Sequence, residues 1–264
     1  MRLMCCLLVL FASATSATAV KVSTKAHADY HFAAIEHLIE QEIGKIVLTR
    51  IYQELGLNID ISSFSGNRAQ YEANSGQKAG EIMRIWTYGA ENPNLIRVPT
   101  PYYHLVTTAF TRKESALTID YASDLAGYKI ARVRGVKHTN NITHNLIKVS
   151  DSPSTEAMFK LLQQGNVDIA LTSYHDGIEV LKKLSLENEI NKSRPLAKLE
   201  LYHYIHKDHQ ALVNKVDNMI KQLKVSTPED TEVVFQGLVD SCRNWHQAMC
   251  PGPMVRIKKL YLKK

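Results

Sequence analysis

The chain has 264 residues, 45% of them hydrophobic and 22% charged, with 32 Lys and Arg against 26 Asp and Glu and a formal net charge of +6. Arg2, Arg256, Lys258, Lys259, Lys263 and Lys264 account for that whole excess, so the body is formally neutral and carries no basic surface suited to nucleic acid. Beyond the first twenty residues no run is apolar for eighteen residues, which argues against a membrane-spanning segment in the body.

Residues 1–19 are expected to be a cleaved export signal: Met1 and Arg2, the apolar run Leu3 to Ala12, then small residues ending in Ala17-Thr18-Ala19. The run is too short to cross a bilayer. Cys5 and Cys6 would leave with it, and about 245 residues would remain. His31 to Ile35 is expected as the first strand. Glu40 to Leu55 follows as a helix with Ile43, Ile46, Val47, Ile51 and Leu55 on one face, ended by Gly56. Asn58 to Ser62 is expected as a strand, Asn67 to Asn74 as a short helix, and Glu81 to Trp86 as a strand.

Further on, His104 to Phe110, Tyr128 to Val133 and Leu146 to Val149 are expected as strands. Ser152 is placed to cap a helix beginning at Pro153, and Val167 to Leu171 to be the strand after it. Leu199 to Ile205 is expected as a strand, and Asp208 to cap a helix carrying Leu212, Val216, Met219, Ile220 and Leu223. Cys242 and Cys250 flank a short loop and could pair in an oxidising compartment; the alternative is two free thiols in a loose tail. The basic end reads as a solvated tail, with an anionic membrane surface as its other possible contact. This alternation of strands and helices implies an α/β protein with parallel sheet, whose ligands sit beyond the carboxyl ends of the strands.

Several segments, taken in order, carry a resemblance. They are Ile46 to Leu57 ending Ile-Tyr-Gln-Glu-Leu-Gly-Leu; Arg68; Ala73-Asn74-Ser75-Gly76; Gly80-Glu81-Ile82-Met83-Arg84; and Pro101-Tyr102. Asp124-Leu-Ala-Gly127, Leu161 to Asp168 with its Gly-x-Val-Asp, and Leu201 to Lys207 complete the series. Together they resemble the bacterial periplasmic solute-binding proteins of the type 2, two-lobed, amino-acid-binding-like family (extracellular solute-binding protein family 3) over about Phe32 to Val225. The resemblance implies that each lobe is a mostly parallel sheet flanked by helices. The first lobe would use residues 20–108 and 197–225, the second 109–196, and a tail 226–264. Crossing strands near Thr107–Arg112 and Ser193–Lys198 would serve as the hinge of a clamp.

The same resemblance puts Arg68 and Arg84 at the cleft to hold an anionic group, because guanidinium matches a carboxylate with two hydrogen bonds. The other reading of each is an arginine paired with Glu72 or Glu81. Tyr102 would stack on or orient a ligand, or else pack in a core. Arg134 and Gly135 form a loop whose free amides could meet an anion. Ser173 and Tyr174 follow the strand of the second lobe. Where amino-acid binders usually place a carboxylate, this chain has Ser173, with Asp176 three residues on, and Ala79 stands where the branch often has Asp.

The expected function is binding of a small polar, anionic solute in the periplasm for delivery to an ABC transporter, by a monomer without cofactor or metal. The alternative partner is a membrane receptor to which the protein reports as a sensor. An enzyme of the same fold, dehydratase-like, is the remaining rival. Glu81 is the one candidate acid or base, since nucleophile-elbow, His-Glu-x-x-His and phosphate-loop motifs are missing. His203, His206 and His209 recur every three residues, but a strand would turn the first two to opposite faces, so they read as ordinary polar positions.

Overall fold

A computed structural model describes residues 27–225. The proposed signal, Cys242, Cys250 and the basic tail lie outside the described residues. β1 (Tyr30–Ile35) lies between β2 (Ile59–Phe64) and β3 (Gly80–Ile85) and pairs parallel with both, Tyr30 opposite Ile59 and Ala33 opposite Glu81. Phe32, Ala33 and Ala34 are fully buried, as suits an inner parallel strand covered on both faces. α1 (Ile39–Glu54) buries Ile43, Gly44, Leu48, Ile51 and Tyr52 at the three- and four-residue spacing of one helix face. Glu40 and Gln41 lie on the same stripe and are buried with it.

α2 (Gly66–Asn74), α3 (Tyr88–Glu91) and β4 (Leu95–Arg97) complete the first pass through one lobe. β5 (Tyr103–Arg112) then crosses into the other lobe, which holds β6 (Ile130–Val133), α4 (Lys137–Thr143), β7 (Val149–Ser152) and α5 (Thr155–Gln163). β8 (Ile169–Ser173), α6 (Tyr174–Leu184) and β9 (Ile190–Lys192) finish that lobe. β10 (Ala197–His206) crosses back, and α7 (Ala211–Val225) closes the first lobe.

The strand order is β2-β1-β3-β10-β5-β8-β6-β7, with β4 beside β10 and β9 beside β5. β1, β2 and β3 are parallel, as are β6, β7 and β8, while the crossing strands β5 and β10 run antiparallel to their neighbours. Thr107 is the junction, opposite Ala197 of β10 and Ser173 of β8. The main core of the first lobe packs Phe32, Leu48, Tyr52 and Met83 against Leu212, Val216 and Ile220 of α7. The second lobe has two cores, around Phe110, Phe159 and Leu162 and around Leu125, Ile130 and Leu171.

Several local expectations shift. β7 begins at Val149 rather than Leu146, because Leu146 packs on the core from the loop while Ile147 is 99% exposed. Ser154, not Ser152, caps α5: its hydroxyl accepts from the Ala157 amide at 3.2 Å, and Ser152 is the last residue of the strand. β8 starts two residues after Val167, where the Asp168 carboxylate accepts from the Lys129 amide at 2.9 Å. Asp208 lies in a short 3-10 turn, Lys207–His209, ahead of α7.

A register shift in β10 between Tyr202 and Tyr204 accompanies the insertion of His203 into the first lobe. Its Nδ1 donates to the Glu81 carbonyl at 2.9 Å, so Nε2 accepts from the Tyr52 hydroxyl at 3.0 Å. Burial pulls the imidazole down to about 4, which keeps it neutral. Tyr52→Phe is expected to lower stability by about 1–3 kcal/mol, because it leaves that buried nitrogen without a donor. Urea unfolding at pH 7 measures it, and a loss below a few tenths would remove the bond from the account.

Candidate functional site

The carboxyl ends of β1, β3, β6 and β8 meet between the lobes, and the residues after each strand face those of the other lobe. The lobes are closed on one another. Ala33, Ile35, Leu38 and Ala69 of the first lobe form one buried apolar cluster with Val133 and Val136 of the second. Gly66, the first residue of α2, abuts Gly135, which takes φ +78° in the loop after β6. A Cβ built on Gly66 would come within 2.9 Å of the Gly135 carbonyl group, so only hydrogen fits at this seam. Asn141 of α4 donates to the Thr87 hydroxyl at 3.1 Å, and Lys137 bonds Glu91.

Arg84 is buried at this seam, with every arm of its guanidinium engaged. Nε donates to Glu81 Oε1 at 2.6 Å, Nη2 to the Gly66 carbonyl at 3.0 Å, and Nη1 to the Gly135 carbonyl of the other lobe at 3.4 Å. The Tyr88 hydroxyl donates to the second oxygen of Glu81, and the guanidinium carbon lies 4.6 Å from the Tyr88 ring centre. Burial is the largest single influence on Arg84 and opposes its charge, but Glu81, Tyr88 and Glu91 together outweigh it and hold the guanidinium above its usual pKa.

A second charged group sits across the seam. Glu40, in the first turn of α1, accepts a hydrogen bond from the Ser173 hydroxyl of the other lobe. Ser173 in turn caps α6 by accepting from the Asp176 amide at 3.2 Å. Asp176 accepts from the Thr172 hydroxyl at 3.0 Å, from the Thr155 hydroxyl, and from the Ile39 amide of α1 at 3.4 Å. Glu40 and Asp176 are both buried, and among the described residues neither makes an ion pair with a basic group. Burial, then the charge of Asp176, pushes Glu40 up to about 7; burial pushes Asp176 up to about 6.

The sequence-derived candidates fall into two groups. Arg84, Glu81, Gly135 and Ser173 come together at the seam. Arg68 does not: its side chain is 60% exposed and pairs with Glu72 one turn on. Arg134 is exposed beside Gly135, and half-buried Tyr174 lies under the Lys192 ammonium, 5.4 Å from its ring centre. Tyr102 is a core residue of the first lobe, donating its hydroxyl to the Ile82 carbonyl in the cluster that α1 and α7 share. Glu40, Thr155 and His138 went unread, and Asp176 was noted only as the carboxylate three residues past Ser173. The signal for Glu40 was an acidic residue on the same helical stripe as Gly44, Leu48 and Ile51. His138, buried, bonds the Thr107 hydroxyl at 2.9 Å, and burial lowers it to about 3.

A separate cavity of about 480 Å³ is lined by first-lobe residues alone, among them Trp86, Gly89, Arg97 and Tyr204. No helix among the described residues is long and apolar enough to cross a membrane.

No family model matches the sequence. An uncharacterized protein of Shewanella oneidensis is 27% identical over 196 residues, 72% of this chain and 74% of its own length. Among solved structures, the arginine-bound form of truncated ArgBP from T. maritima superposes with TM-score 0.63 at 14% identity, over 74% of this chain and 96% of that one. A histidine kinase sensor domain with similarity to periplasmic binding proteins gives 0.66 at 15% identity, over 79% and 96%. The GluR0 ligand-binding core in complex with L-glutamate gives 0.66 at 13% identity, over 82% and 98%. Two lobes of mostly parallel sheet, joined by two crossing strands and facing each other over their strand ends, are the architecture these proteins share: the chain has the type 2 periplasmic-binding fold.

Proposed function

We propose that this chain binds a small polar, amino-acid-like solute between its lobes, outside the cytoplasmic membrane, and that it is a binding protein rather than an enzyme. The observation that carries this reading is the seam. Buried polar groups from both lobes converge there on the ends of β1, β3, β6 and β8, and the chain passes into the second lobe in β5 and back in β10. A clamp of that form encloses a solute by rotating one lobe on the other. The expected anionic character of the solute rested on free guanidinium groups. Arg84 and Arg68 each already hold a carboxylate, so an anion would have to displace Glu81 to reach Arg84. A zwitterion or cation meets no such competition at Glu40 and Asp176.

Delivery to an ABC transporter is the first partner reading. Reporting to a membrane receptor is the second, favoured by the likeness to a kinase sensor domain, which is as high in TM-score as any of those given above. Thermal unfolding of the chain with L-arginine, L-glutamine and L-glutamate tests the solute reading. A solute at a hundred times its Kd stabilises by about 2.7 kcal/mol, a rise of several degrees for a protein of this size. If no member of a panel of amino acids, short peptides and organic acids moves the midpoint, solute binding is refuted.

A further inference from the structure

We propose that Glu40 and Asp176 form a proton-dependent latch that holds the two lobes together in acid and releases them as the pH rises to neutral; this rests on the clamp reading above. The geometry is reciprocal. Glu40 belongs to the first lobe and holds the hydroxyl of Ser173, the residue that caps α6 in the second lobe. Asp176 belongs to the second lobe and accepts the Ile39 amide at the start of α1 in the first, a helix that has no side-chain cap of its own. Separating the lobes breaks both engagements and returns two carboxyl groups to water.

The sign follows from proton counting. In the open form both acids would titrate in the ordinary carboxylate range, near ~4. In the closed form burial, and for Glu40 the neighbouring Asp176, holds them higher, and they titrate as a pair. The closed form therefore binds more protons than the open form. Its advantage is complete below the ordinary range and is lost as pH rises through about 6 to about 7.

Other ionisable groups on the surrounding elements do not cancel this. Ahead of α1, Glu36 and His37 lie near each other at the surface. Within α1, Glu42 pairs with Lys45. On α6, His175 packs edge-on to Tyr174, and Glu179 lies 3.9 Å from Lys182. On α5, Glu156 holds Lys160 and Lys183. From β9, Lys192 lies over the Tyr174 ring. On α4, buried His138 stays neutral against Thr107. The strand β8 contributes hydroxyls only, from Thr172 and Ser173.

Small-angle X-ray scattering of the full chain without solute, at pH 5 and pH 8, tests the latch. The radius of gyration is expected to grow at pH 8 as the closed-to-open ratio falls by about tenfold or more, since each unit of pKa difference is worth a factor of ten. The double variant Glu40→Gln, Asp176→Asn is expected to show no such growth. A wild-type radius equal at both pH values overturns the proposal, as does a double variant that swells like the wild type. Should that variant not fold, amide exchange in the wild type decides. The Ile39 amide, which donates to Asp176 across the seam, loses protection at pH 8 after correction for its intrinsic rate if the latch opens, and equal protection overturns it. A chain that responds to pH but to no solute keeps the latch and loses the solute reading; the opposite result loses the latch alone.

Discussion

Replacing Arg84 by alanine is expected to destabilise the protein by about 3–5 kcal/mol, the cost of leaving a buried carboxylate without its cation. Glu81 is fully buried, and Arg84 and the Tyr88 hydroxyl are its side-chain partners. The truncation also strips donors from the Gly66 and Gly135 carbonyls. Urea unfolding of Arg84→Ala against wild type measures the loss. A change under about 0.5 kcal/mol is what a solvated surface arginine gives, and would place Arg84 outside the buried network. Neutralising both partners, Arg84→Met with Glu81→Gln, is expected to recover part of the deficit, because the larger share of it is the stranded charge.

The second large effect concerns closure rather than folding. Gly66→Leu is expected to hold the lobes apart and to weaken solute binding by about a hundredfold or more, because affinity falls with the fraction of molecules able to close. The three atoms nearest a Cβ at Gly66 are backbone atoms of Arg134 and Gly135, all in the opposite lobe. Backbone cannot swing aside as a side chain does, so the lobes must part. None of those three atoms belongs to the first lobe, so the thermal midpoint without solute is expected to move by only a few degrees. A larger radius of gyration at pH 5 with a near-normal midpoint is the expected pair of results. An unchanged radius would mean that the Gly66–Gly135 contact does not set the closed distance.

The strands and helices with strong local periodicity were legible in the sequence. β1, α1, β2 and α2 fall within two residues of their expected bounds, because each is fixed by apolar spacing inside its own segment. α6 was not legible. Gly177 sits in its interior, where glycine reads as a breaker, yet the Phe110 ring lies so close that a Cβ there would be 2.2 Å from it. Glu40 in sequence is an ordinary first-turn acid, suited to the positive end of a helix. Its burial comes from Ser173, 133 positions away, which no local pattern carries. Arg84 was singled out in the sequence as a cleft residue, but its hydrogen bonds combine Glu81 with the carbonyls of Gly66 at the start of α2 and Gly135 in the loop after β6, and only the fold brings those together. Tyr102 shows the opposite case: an aromatic beside a proline offers the same letters whether it faces a ligand or a core.

The position of β10 bears on the order in which the chain can fold. This strand lies between β3 and β5, yet among the described residues it is the last strand to be synthesised, after every described strand of the second lobe. Until residues 197–206 emerge from the ribosome, β3 has an unmatched edge, and Ile205, Leu212 and Val216 are missing from the first lobe's core. The amino-terminal hundred residues therefore lack one neighbour of their sheet and part of their core until that strand and α7 are made.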